Sequence, residues 1–426
     1  MTKSTLESLP IELRLQILLE VADLHSLRSL ALSSPSFHQA YRLARLKILS
    51  KILLNQYDGL VDISEAIASV RSRKLHASRS SDRDKIFALL DDRRRSGGIS
   101  RLRLQYRVSR PLPDQPSSID EVLDLLELHK IAIWFLDDYS KNAPRPHWIG
   151  PATWSSGILP LKFSDIEKKR FFRAFYRLQT NGNLFSSGEN AIGDEDDKYI
   201  SHWDPIFGVE EMWQLFVGTL PPWEVEELGC LWKYIHDRHS ERYFEIANDL
   251  MQYGVQPVSV LPEHLRLPKK SLILDCDDLA VDDIDRRETI ACLGPMFLYK
   301  FLREEDYITR RNLLCINATV TFLCFPLCSP RSSSDYLPLL YPADRFDLGL
   351  DVPGFLELIS ALPEIERPNA AWKKFWIDFM QEDEPLFEEM FTTGNNGPLW
   401  AWGYAIWDSD RLADWGAPSN WSQVDR

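Results

Sequence analysis

The long apolar stripes of this chain recur three or four positions apart. Leu13, Ile17 and Val21 stand at i, i+4 and i+8, with Leu18 filling the same face. Leu24, Leu27, Leu30 and Ala31 repeat that spacing. Val225, Leu228, Leu231, Ile235, Ile246 and Leu250 hold one long stripe, interrupted near His239. The period is that of the 3.6-residue helical turn, whereas a half-buried strand needs alternation at every second residue. No alternation lasts long enough to pair strands, so the expected fold is mainly α. At 426 residues the chain also exceeds one ordinary core. With about 150 residues per domain, two or three units are expected.

Capping residues and breakers place the elements. Pro10 suits the first position of a helix over 8–22, where its missing N–H is not needed, and Glu12 faces the positive end of the helix dipole. Asp23 is placed to cap a second helix. Ser34-Pro35 opens a third, through Phe37, Ala40, Tyr41 and Ala44 and on to Leu54. Asp62-x-x-Glu65, Ser118-x-x-Glu121 and Ser164-x-x-Glu167 have capping-box spacing. Further helices are expected at 205–217, 223–253, 284–303 and 312–325. Residues 71–110 hold 13 Lys+Arg against 4 Asp+Glu, and Pro111, Pro113 and Pro116 follow. These marks divide the chain into an N-terminal module (1–54), a helical, basic linker (55–117) and an irregular multi-helix body (118–426). Trp203-Asp204 and Trp407-Asp408 share no roughly 40-residue period, and no leucine-rich period occurs, so neither a propeller nor a leucine-rich arc is expected.

The N-terminal module carries the most specific pattern. Leu9-Pro10-Ile11-Glu12-Leu13, then Ile17-Leu18, Leu24 and Leu27, Leu30-Ala31-Leu32, and Ser34 with Phe37 and Tyr41 resemble an F-box. The spacer at 22–26 is short, and no Leu-Trp pair follows Tyr41, two departures from the common form. The resemblance implies a three-helix fold that docks onto the Skp-type linker subunit of a cullin-based (SCF-type) ubiquitin ligase. Carried over position by position, its docking contacts would be Leu9, Pro10, Ile17, Leu27 and Leu30. The rest of the chain is similar to the helical C-terminal regions of fungal F-box proteins at three stretches. These are Phe172-Arg173-Ala174-Phe175-Tyr176-Arg177-Leu178, Pro222-Trp223-Glu224-Val225-Glu226-Glu227-Leu228 and Gly403-Tyr404-Ala405-Ile406-Trp407-Asp408. The implied function is that of a substrate-recruiting adaptor whose body holds a protein target. Two other readings stay open: an interaction protein outside any ligase, and an enzyme with a pocket in the body.

The chemistry-bearing residues favour binding over catalysis. No phosphate-cradling glycine loop, Gly-x-Ser-x-Gly elbow or His-Glu-x-x-His pair occurs, so no catalytic residue and no cofactor is expected. Cys230, His236 and His239 share one helix, and Cys324-x-x-x-Cys328 lies elsewhere; neither makes the two close pairs a zinc site needs, and no metal is expected. Asp275, Asp277, Asp278, Asp282, Asp283 and Asp285 lack a calcium loop's spacing and read as a solvated helix start. The net charge of -14 opposes general nucleic-acid binding. Arg71, Arg73, Lys74 and Arg79, with Arg93, Arg94 and Arg95, are read as a solvated hinge, a nuclear signal or a site for an acidic partner. The six Cys are scattered, the first residues lack a signal-peptide core, and the uncharged stretch 312–330 is broken by Asn and Pro. A membrane segment is therefore not expected, and the compartment expected is cytoplasm or nucleus. Trp400, Tyr404 and Trp407 follow i, i+4, i+7, and with Trp402, Trp415 and Trp421 they form either a sugar- or peptide-binding surface or a helical strap closing the core. The strap is the reading adopted, because a single stripe turned inward needs that register.

Overall fold

The computed structural model describes residues 6–90, 115–189, most of 212–273, 283–318, 352–375 and 397–418. Those residues are mainly helical and contain no strand.

Three short helices open the chain: α1 (Ile11–Leu19), α2 (Leu24–Ser33) and α3 (Pro35–Leu43). Their ends follow the side chains that compete for backbone N–H groups. The Asp23 carboxylate accepts from the Ser26 N–H at 2.9 Å, and the Ser34 hydroxyl accepts from the Phe37 N–H at 3.3 Å. Leu18, Leu27, Phe37 and Ala40 are buried where the three meet. Pro10 sits one position earlier than expected, at the N-cap of α1. The third helix does not reach Leu54. Ala44 leaves helical geometry (φ -126°, ψ 26°), and α4 (Arg45–Tyr57) begins anew.

α4 packs along α7 (Ile119–Asn142), burying Ile48, Leu49, Ile52 and Leu53. At its end the buried Tyr57 ring lies 4.8 Å from His129 of α7 and 6.4 Å from Tyr176 of α8 (Asp165–Phe185). The N-terminal module thus shares its core with the body.

Part of the segment read as a basic linker also belongs to that core. α5 (Ile63–Ser72) lies against α8, and α6 (Arg83–Leu90) packs on α5. Ala66, Ser69 and Ser72 are small enough to let two helices approach closely. Their hydroxyls are satisfied across the contact: Ser69 donates to the Tyr176 carbonyl at 2.5 Å and lies 2.9 Å from the Thr180 hydroxyl. Arg71 pairs with Glu121 at 2.5 and 3.1 Å, and Arg73 with Asp124 at 3.2 Å, so these cations brace α7 and are not a solvated hinge. Arg93, Arg94, Arg95, Pro111 and Pro113 lie outside the described residues.

α8 and α9 (Pro222–Met251) form the centre of the body. Only Ser164 opens a reciprocal capping box; Asp62 caps Ser64, and the Glu121 carboxylate turns back to Ser117. α9 runs unbroken through His239. The interruption in its apolar stripe is a buried histidine whose ring lies 3.2 Å from the Ile235 carbonyl. The helix expected at 284–303 is divided into α10 (Asp283–Cys292) and α11 (Pro295–Arg303), because Gly294 turns to φ 90° ahead of Pro295. α12 (Tyr307–Asn317) starts before the expected 312, capped by Asp306 on the Thr309 N–H at 2.7 Å. α13 (Val352–Ala361) and three short turns of helix at Ala370–Lys373, Gly397–Trp400 and Ser409–Asp414 complete the described chain. Most of 205–217 falls outside it.

The C-terminal aromatics close the core, but not as a helical stripe. The helix ends at Trp400, and Gly403 adopts φ 75°, which carries the chain into successive turns. Trp400, Tyr404 and Trp407 are nevertheless buried, and Trp407 stacks on Tyr139 with centroids 5.4 Å apart and planes within 2°. Trp415 packs on Trp154 and Trp407, and Trp421 lies outside the described residues. One apolar cluster runs from Leu18 to Leu412. Among the described residues, no helix is long and apolar enough to cross a membrane. Trp407 has no exposed surface, so Trp407→Ala should destabilise the chain by about 3–5 kcal/mol in denaturant unfolding. A loss below about 1 kcal/mol would exclude its role in closing the core.

Candidate protein-docking site

Among the described residues, thirteen large apolar side chains remain exposed, and seven of them lie between residues 6 and 54. Leu6 is 62%, Leu32 65% and Leu43 66% exposed, with Leu13, Leu24, Leu46 and Leu54 alongside. Single exposed leucines are ordinary, and their concentration in this part of the chain makes it the candidate docking surface. The five docking positions carried over from the F-box divide. Pro10 is exposed, and Leu9, Ile17 and Leu30 are half-buried. Pro10, Leu13 and Ile17 follow i, i+3, i+7 and share one face of α1. Leu27 is only 4% exposed and belongs to the module's own core. Leu6 and Leu43 were not among the expected contacts. Their only signal is that they are apolar on the side of an amphipathic helix or turn that should be polar.

Deeper in the chain the three stretches singled out in the body meet. Arg170, Arg173 and Arg177 stand at i, i+3, i+7 on α8, and all three are buried against the start of α9. The Arg173 guanidinium donates to Glu227 at 2.6 and 2.9 Å and pairs with Glu224 at 2.8 Å and Glu366 at 3.0 Å. Arg177 pairs with Glu224 at 2.8 Å and Glu65 at 3.0 Å. Arg170 donates to the carbonyls of Ile406 and Trp407 at 3.2 and 3.0 Å and reaches Asp408 at 3.3 Å. On the other side of α9, Glu226 accepts from Trp400 Nε1 at 2.5 Å and the Tyr404 hydroxyl at 2.9 Å. Burial pushes the Glu227 carboxyl up and the Arg170 guanidinium down from their ordinary ranges, and the opposite charges beside them counter both shifts. The arginines and the α9 carboxylates are shut from solvent, and the lattice acts as a clamp between α8, α9 and the C-terminal turns.

The remaining candidates stand apart. His236 faces Asp237 at 3.3 Å, and its ring lies 5.4 Å from that of His239. Burial raises the Cys230 thiol well above its ordinary value. Among the described residues, no three His, Cys, Asp or Glu side chains gather as metal ligands. Cys324, Cys328 and Asp275 to Asp282 lie outside the described residues. Compared with protein-family models, curated proteins and solved structures, the chain matches none.

Breaking a buried ion pair strands the surviving charge. Arg173→Met should therefore cost about 3–5 kcal/mol in denaturant unfolding. Lys141→Met, which removes the exposed pair with Asp137, should stay within about 0.5 kcal/mol. Equal effects would show that the lattice holds nothing together.

His129 generates a pH dependence. Its Nε2–H donates to the Gln56 carbonyl at 3.2 Å and its Nδ1 accepts from the Tyr176 hydroxyl at 3.0 Å, a neutral arrangement. Burial lowers its pKa from 6.5 to about 4. Between those values only the unfolded chain holds the proton, so stability falls as pH drops from 6.5 towards 4. The slope is up to about 1.4 kcal/mol per pH unit for each such group. Burial lowers His76 and His239 too, and they act in the same direction. His129→Gln should make the slope shallower in this window when urea unfolding is followed against pH; an unchanged slope would remove His129 from the account.

Proposed function

We propose that the chain is an adaptor: its N-terminal module docks onto the Skp-type linker subunit of a cullin-based ubiquitin ligase, and its helical body holds a protein target. The observation that supports this most is the number of exposed leucines on α1 to α4, in a stretch that opens with Leu9-Pro10-Ile11-Glu12-Leu13. Such a surface loses free energy in water and regains it when a partner covers it. In an adaptor of this kind the chemistry belongs to the ligase, and the chain supplies two recognition surfaces held in fixed relation. Ubiquitylation, the identity of the target and a place in the cytoplasm or nucleus are parts of the same proposal.

Pull-down of a purified Skp-type linker subunit should be lost in a Leu9→Ala/Pro10→Ala double variant whose circular dichroism is unchanged. Contacts at an interface centre each contribute on the order of 2 kcal/mol or more. Leu27 is unsuited to this test, since truncating it reports on the module's core. Capture undiminished by the double variant would overturn the assignment.

A further inference from the structure

A cleft of 380 Å³ opens on the body where the segment after α5 crosses the end of α8 and meets α11. Its volume falls in the range of about 300–1,000 Å³ usual for ligand sites. One wall carries Arg73, Lys74 and Arg79, and the floor is Leu293, Met296 and Phe297. The wall is held in place by backbone contacts. The Ala77 N–H donates to the Leu184 carbonyl at 2.8 Å, and His76 Nε2–H donates to the Ser186 carbonyl at 2.7 Å. The floor is fixed by Gln179, whose Oε1 accepts from the Met296 N–H at 2.7 Å.

Within this frame the polar groups fall into two sets. The amides are already committed: Gln179 donates to Asn183 at 2.8 Å, and Asn183 donates to the Ser69 carbonyl and the Ser72 hydroxyl at 2.9 Å. Glu189 at the rim is taken by Lys300 at 2.9 and 3.0 Å. The cations are not committed to the same degree. Lys74 is exposed and has no acidic partner among the described residues. Arg73 reaches Asp124 through Nη1 alone, and its Nε and Nη2 are buried without an acceptor. Arg79 approaches Asp82 only to 3.8 Å, and that carboxylate also serves Lys85 at 3.3 Å. Exposed cations with a distant acidic partner or none, beside an apolar lining, complement an anion that carries an apolar neighbour. The site is locally cationic in a chain whose net charge is -14. Phe297 is buried, leaving no exposed ring there on which a base could stack.

We infer that this cleft binds an acidic peptide segment, with a carboxylate or phosphate against Lys74 and Arg79 and an adjacent apolar side chain over Met296. The inference rests on the adaptor reading only in taking the ligand to be part of a protein. Electrostatic attraction at a half-exposed wall brings the peptide in and weakens with salt, while the apolar floor selects which acidic segments stay.

The test uses the full chain and fluorescent pools of decapeptides with uncharged random flanks around a central Glu-Leu, phosphoserine-Leu, Glu-Ser or Lys-Leu pair, read by anisotropy. One or both of the acidic-leucine pools should bind, and the tighter of the two identifies carboxylate or phosphate as the preferred anion. The Glu-Ser and Lys-Leu pools should bind at least about tenfold more weakly, a difference of about 1.4 kcal/mol. Lys74→Glu/Arg79→Glu should lose at least about tenfold in affinity, while Lys47→Glu/Lys51→Glu, the same charge change on exposed α4 positions, should stay within about twofold. Equal loss in the two variants, or acidic pools no better than the Lys-Leu pool, would overturn the cleft. Binding that is indifferent to the leucine and displaced by inorganic phosphate alone would make it a free-anion site and overturn the peptide. The Lys74→Glu/Arg79→Glu variant should still capture the linker subunit, so a failed cleft and a failed adaptor reading give different results.

Discussion

Three guanidinium groups in the interior of a helical body set the terms for everything packed around them. Arg170, Arg173 and Arg177 cannot be buried unless each is matched, because an isolated charge in a low-dielectric interior costs several kcal/mol even after relaxation. The match comes from Glu224 and Glu227 on α9, Glu65 on α5, and Glu366 and Asp408 farther along the chain. The ion pairs thereby tie α8 to α9, α5 and the C-terminal turns at several points along one face. Apolar side chains of the same volume could fill that space with equal stability.

The same rigidity extends to the N-terminal module. α4 belongs to both halves, and Tyr57, His129 and Tyr176 form a small polar-aromatic joint where they meet. For an adaptor of the proposed kind such a joint matters more than a flexible linker would. Under that proposal it would hold the exposed leucines and the cationic cleft at a set separation.

Much of this was legible in the sequence, and the parts that were not share a cause. Helix period and capping residues depend on neighbours a few positions away, so Asp23, Ser34 and Ser164 could be read correctly. The interior role of α5 could not, because Ser69 and Ser72 look like solvated residues until Thr180 and Asn183 are brought to them. Trp400, Tyr404 and Trp407 have helical spacing by coincidence. Their burial was foreseeable from their size, but the turn at Gly403 was not in the period. The arginine lattice gave no local sign, since Arg173 and Glu227 are 54 positions apart and each resembles a surface residue. The cleft showed only its cationic half, as a basic run; its floor comes from α11, far along the chain.

The wide separation of the lattice partners also orders the events of synthesis. α8 leaves the ribosome long before the stretch from 397 to 412, which supplies Asp408, two carbonyl groups for Arg170, and the Trp400 and Tyr404 donors for Glu226. During that interval the Glu226 carboxylate on α9 has not yet met its Trp400 and Tyr404 donors. Until then Glu226 and Arg170 lack part of the partner set that the folded chain gives them. A chain stopped before residue 397 would therefore lack the groups that complete the burial of Glu226 and Arg170.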